Sequence, residues 1–125
     1  MKKIILTVVI CIFAVLICNA QTSYVCSTKS IQKVSTGSRS TAKTDNSIFI
    51  VDENKNTITH KESGLFGSTK VYRIVKREFY RNVGQGYTTT NDKGDFYYFI
   101  VTRDEFSWHK RNSDDMNFYR IKEVK

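Results

Sequence analysis

The side chains best suited to reactive chemistry in this chain are His60, His109 and Cys26. A cysteine, a histidine and an acid can build a thiol nucleophile when the imidazole takes the thiol proton and the acid orients the ring. No local motif supports that arrangement here. A free cysteine on a strand ordinarily packs as a small apolar side chain, and a lone histidine ordinarily hydrogen-bonds. Two histidines without clustered acids also make a poor zinc site, so no metal and no cofactor are expected. Asp104 with Glu105, and Asp114 with Asp115, are adjacent acids in turns. Neighbours on a strand point to opposite faces, which disqualifies them as a paired acid and base. GQG at 84–86 lacks the lysine and following helix of a phosphate loop. In DENKN, Asp52, Asn54 and Asn56 match the first three ligand positions of a calcium loop. The sixth position is Thr57 instead of glycine and the twelfth is Ser63 instead of glutamate, so the stretch reads as a turn. The chain is expected not to be an enzyme.

Aromatic residues are the other group able to recognise something. KGDFYYFIV, at 93–101, has the basic residue, glycine and aromatics of an RNA-binding strand. That motif requires flat rings on one open face and nothing acidic against phosphate. Asp95 stands where the first aromatic should be, and bulky Phe96 where a small residue should be. The alternative is a hairpin turn at NDKG, with Gly94 in the left-handed conformation, followed by a strand. On it Phe96, Tyr98 and Ile100 point one way and Tyr97, Phe99 and Val101 the other, so cover on both faces is expected. Tyr97, Phe99, Trp108 and Tyr119 are the candidate ligand-binding residues, as a contiguous patch or the lining of a cavity.

The elements that position these rings are short strands separated by turn residues. Tyr24 to Ile31 reads as a first strand, SIFIV and TITH as a hairpin across DENKN, and EFSWHK and MNFYRIKEV as the last two strands. The segment 34–46 is rich in Ser, Thr and Lys and reads as a long polar loop, a candidate lid or a solvated connection. In 68–82, Lys70, Arg73, Arg77 and Arg81 form one stripe of a helical wheel. The density of β-branched and aromatic residues favours a strand instead. The pattern predicts an all-β fold: a single-domain antiparallel meander of about seven strands forming a small barrel or a two-layer sandwich.

Ahead of these strands, Lys2 and Lys3 precede a mostly apolar run from Ile4 to Cys18. Its length suits the apolar region of a signal peptide, about 7 to 15 residues, better than the roughly 20 of a membrane-spanning helix. Cys18 and Ala20 supply the small residues of a cleavage site before Gln21. The expected organisation is a signal peptide over 1–20 and one β domain over 21–125, in an exported protein, periplasmic or secreted. Lipid attachment at Cys18 and an uncleaved anchor are the alternatives. Cleavage removes two of the three cysteines, leaving Cys26 and no internal disulfide. Seven Tyr, seven Phe and Trp108 remain once Phe13 leaves with the leader. Each ring can bury about 150–250 Å², so aromatic burial takes the place of cross-links. Loss of Lys2 and Lys3 lowers the net charge from +8 to +6. Such a surface attracts anions, including an anionic envelope, whereas export argues against nucleic acid as a partner.

The leader, SIFIVDENKNTIT, TTTNDKGDFYYFIV and the aromatic final strand together resemble small exported bacterial β-rich proteins of unassigned function. The architecture is similar to lipocalin-like barrels, without the tryptophan-bearing opening motif of that family. The resemblance carries no functional residues. The expected function is a non-catalytic binding module for an apolar, carbohydrate or protein ligand. The alternative is a structural or envelope-associated protein held by its positive charge.

Overall fold

Local chemistry decides where this chain reverses. In NDKG the Asn91 side-chain oxygen accepts hydrogen bonds from the amides of Lys93 (3.0 Å) and Asp95 (2.9 Å). Gly94 closes the turn at φ 83°, a left-handed conformation that costs glycine little. In DENKN the Asp52 carboxylate accepts from the amides of Asn54 (3.1 Å) and Lys55 (3.0 Å), while Asn56 takes φ 53°. Both turns use the capacity of Asn and Asp to bond to their own backbone.

The computed structural model describes residues 21–64 and 67–125. The expected leader, its cleavage site and the alternative lipid site at Cys18 lie outside the described residues. The described strands are β1 (Gln21–Lys33), β2 (Lys43–Thr44), β3 (Ile48–Asp52), β4 (Thr57–Lys61), β5 (Thr69–Tyr80), β6 (Gly84–Thr90), β7 (Phe96–Val101), β8 (Glu105–Lys110) and β9 (Asp115–Val124). From β3 to β9 each pairs antiparallel with the next, and β1 pairs with both β3 and β9. The result is a closed eight-stranded barrel. The segment 68–82 is therefore strand over Thr69–Tyr80 followed by a turn, and the helical stripe of cations does not form.

The expected all-β antiparallel meander closes as a small barrel, with eight strands in the ring where about seven were expected and β2 a short ninth outside it. Two expectations need correction. The 34–46 segment is not simply a loop. It doubles back along β1, pairing Thr28 with Thr44 and Lys29 with Lys43, with a further bridge between Gln32 and Arg39. Its anchors are polar: Asp114 accepts from the Ser35 amide (2.8 Å) and hydroxyl (2.9 Å), Lys33 pairs with Asp115, and Arg39 pairs with Glu105 while lying over the Phe118 ring. Those two hydrogen bonds hold the Asp114 carboxyl below its ordinary pKa. Second, β7 is covered on one face only. Tyr97, Phe99 and Val101 turn inward, but Tyr98 is 38% exposed on the outer face. The outer rings are instead partly shielded within the sheet, Phe96 by Arg111 and Tyr98 by His109.

An eight-stranded barrel has an interior just wide enough for side chains to fill it. Phe49 stacks on Phe106 (4.2 Å between ring centroids) and on His60 (4.2 Å), and meets Tyr119 edge-on at 4.9 Å. Phe106 continues the chain of rings to Tyr24 and Phe99, and Phe99 to Tyr72. Phe49, Phe99, Phe106 and Tyr119 are all 1% exposed or less. These rings form the core and fill the middle of the barrel.

Candidate ligand-binding site

One end of the barrel carries Gln21, Lys125 and the connections β3–β4, β5–β6 and β7–β8. The other carries the connections β1–β3, β4–β5, β6–β7 and β8–β9. The register pairs Phe99 with Trp108 and Phe106 with Tyr119, so Tyr97, Phe99, Trp108 and Tyr119 all face inward. They divide by depth. Phe99 and Tyr119 belong to the packed core, whereas Tyr97 and Trp108 are partly buried against it, toward the second end. Tyr97 touches Trp108 (5.9 Å) and Tyr72 (4.8 Å), and the Lys110 ammonium lies 5.9 Å from its ring centroid.

Polar atoms among these rings are under-satisfied. Neither His60 Nε2 nor Trp108 Nε1 has a hydrogen-bond partner, although both atoms are buried. The Trp108 indole N–H favours the ionised form of the Tyr119 hydroxyl. Burial outweighs that effect and raises the Tyr119 pKa, and it pushes Tyr72 up to about 12. His60 stacks on Phe49 and meets Tyr119 edge-on at 5.5 Å. Its pKa is lowered to about 4, chiefly by desolvation, with Lys70 and Lys29 adding to the effect and Glu62 and Asp45 opposing it. The imidazole is therefore neutral at pH 7.

Two clefts open at this end. One, of about 490 Å³, is walled by Thr69, Lys70, Val71, Tyr72, Asn91, Asp92, Lys93 and Tyr97. It arises because β5 pairs with β6 only from Arg73 onward, leaving a notch between the start of β5 and the NDKG turn. The other, of about 680 Å³, lies between β1 and the folded-back 34–46 segment, with Lys29, Lys33, Arg39 and Lys43 in its wall. Lys29 connects it to the barrel, its ammonium 5.4 Å from the Tyr119 ring centroid. Tyr72 and Lys29 were not singled out from the sequence. Tyr72 was accessible through the strand reading of 68–82, in which it alternates with Ile74; Lys29 had no signal, because its neighbours come from β2 and β9.

The reactive residues are not assembled. His109 is on the outer face, its Nε2 2.7 Å from the Ser113 carbonyl oxygen, while Cys26 and His60 face inward. Cys26 is a free, buried thiol whose pKa is pushed up to about 12, mainly by burial and further by Asp45. That shift opposes formation of the thiolate a nucleophile needs. Cys26 is accordingly expected to resist Ellman's reagent in the native protein and react fully in guanidinium. Rapid labelling of the native protein would show that the thiol is accessible. The paired acids are engaged singly, Glu105 by Arg39, Asp114 by Ser35 and Asp115 by Lys33. Among the described residues no group of three or more His, Cys, Asp or Glu side chains is placed to hold a metal ion.

No protein-family model, curated protein sequence or solved structure matches this chain.

Proposed function

We propose that this protein is an exported, non-catalytic binding module that holds a carbohydrate at the notched end of its barrel. The observation that carries this reading is the composition of the 490 Å³ cleft: tyrosines 72 and 97 and Val71 beside Thr69, Lys70, Asn91, Asp92 and Lys93. Sugars present flat C–H faces ringed by hydroxyls, and an aromatic surface with a polar rim is complementary to both. A hydrocarbon ligand would need an enclosed apolar interior, and here that space is occupied by phenylalanine and tyrosine rings.

The test is an oligosaccharide array probed with the protein, followed by calorimetry with the tightest-binding sugar. Tyr97→Ala is expected to weaken that binding by about tenfold or more, in line with loss of one aromatic anchor. Because Tyr97 is only partly buried, the circular dichroism spectrum is expected to be unchanged. Retention of no oligosaccharide, together with an apolar molecule co-purifying in native mass spectrometry, would overturn the carbohydrate reading.

A further inference from the structure

At the opposite end of the barrel the β5–β6 connection is built for a different surface. Val83 N–H bonds to the Tyr80 carbonyl (3.0 Å), and Asn82 adopts φ 64°, making a tight turn. Gly84 follows, where a Cβ would lie 1.9 Å from the Val101 carbonyl oxygen, so only glycine lets this turn press against the β7–β8 connection. The tip is apolar where soluble turns are usually polar: Phe79 is 75% exposed and Val83 53%, while the Tyr80 ring lies back over Gly86 on the outer face of the sheet. Arg81 in this turn and Arg103 in the adjoining connection make no ion pair among the described residues. Nearby Glu78 is already engaged by Lys76 and by the Tyr80 hydroxyl (2.7 Å), and Glu53 by Arg77. Asp104 lies beside Arg103, and Asp52 and Glu123 also belong to this end of the barrel, Glu123 beside Lys125 (4.0 Å).

We propose that this tip docks on an anionic phospholipid bilayer, with Phe79 and Val83 entering the interfacial layer and Arg81 and Arg103 over the headgroup phosphates. Aromatic and aliphatic side chains flanked by cations suit the boundary between headgroups and acyl chains. Charge decides between a bilayer and a second copy of the chain, since two such tips would oppose arginine with arginine. The carbohydrate cleft at the other end would then face away from the membrane.

Residues 21–125 carry every described strand of the closed sheet, and this leaderless chain is the form to test. It is expected to co-sediment with vesicles of phosphatidylcholine containing phosphatidylglycerol, to bind phosphatidylcholine alone much less, and to be released as salt rises. Replacing Arg81 and Arg103 by glutamine should weaken binding about fivefold each. Phe79→Ser with Val83→Ser should weaken it by about tenfold. These residues are exposed, so an unchanged circular dichroism spectrum and melting temperature are expected for every variant. Equal binding to both vesicle types, or full binding by the tip variants, overturns the proposal. So does a dimer in sedimentation velocity that Phe79→Ser abolishes, because the tip would then belong to a second copy.

Discussion

Truncating Phe49 to alanine is expected to destabilise the protein by about 3–5 kcal/mol, the cost typical of removing a fully buried phenylalanine. Phe49 has no exposed surface and contacts Phe106, His60 and Tyr119 at ring-centroid distances of 4.2, 4.2 and 4.9 Å. The barrel wall is hydrogen-bonded around its whole circumference and cannot collapse inward easily, so most of the void would persist. The melting temperature should fall by roughly 15–30 °C. Urea denaturation of the two proteins measures the difference directly. A cost below about 1 kcal/mol would mean that the interior already contains space. The carbohydrate reading would then lose its reason for excluding an enclosed apolar ligand.

Acidification should expose His60. Its pKa lies near 4 in the folded protein against 6.5 for an ordinary histidine, so between these values the unfolded chain binds more protons than the folded one. Stability is therefore at its full level above pH 6.5, declines as the pH falls toward 4, and levels off below that with respect to this group. The whole contribution is about 3 kcal/mol, and about 2 kcal/mol of it should be lost by pH 5. His60→Phe preserves the stack on Phe49 and removes the titrating nitrogen. Its stability relative to the wild type should rise by the same amount over the same interval. Denaturation series at pH 7, 6, 5 and 4 decide the point. A difference between the two proteins that does not change with pH would show that His60 titrates normally and is hydrated. The buried, unpartnered Nε2 would then not be a feature of the native interior.

Depth in the barrel also divides the four candidate rings. Phe99 and Tyr119 resemble Tyr97 and Trp108 in type and alternation, and nothing in the sequence distinguishes the pairs. Closure of the sheet does. Phe99 and Tyr119 fall at the middle of the barrel among rings from other strands, while Tyr97 falls beside the notch left where β5 runs past the end of β6. A one-residue bulge has a similar effect on β5. The register shift between Ile74 and Lys76 reverses the alternation beyond it. Arg77 is thereby paired with inward-facing Tyr87, and Phe79 with Gln85, at the rim of the barrel.

The amino-acid sequence alone determined what depends on neighbours along the chain. NDKG and DENKN specify reversals through hydrogen bonds spanning a few residues, and the β-branched and aromatic run of 69–80 specifies a strand against its helical charge pattern. Alternation in FYYFIV and EFSWHK sorts residues into two faces. Only the tertiary structure decided which face was interior, that β1 would close on β9, and that 34–46 would pair back onto β1. It also decided that the outer rings of β7 would stay half open. Each of these depends on partners distant in the chain, such as Lys33 with Asp115 or Arg39 with Glu105. Pairing energy between distant segments is set by the register of the whole closed sheet, and no local window of sequence contains it.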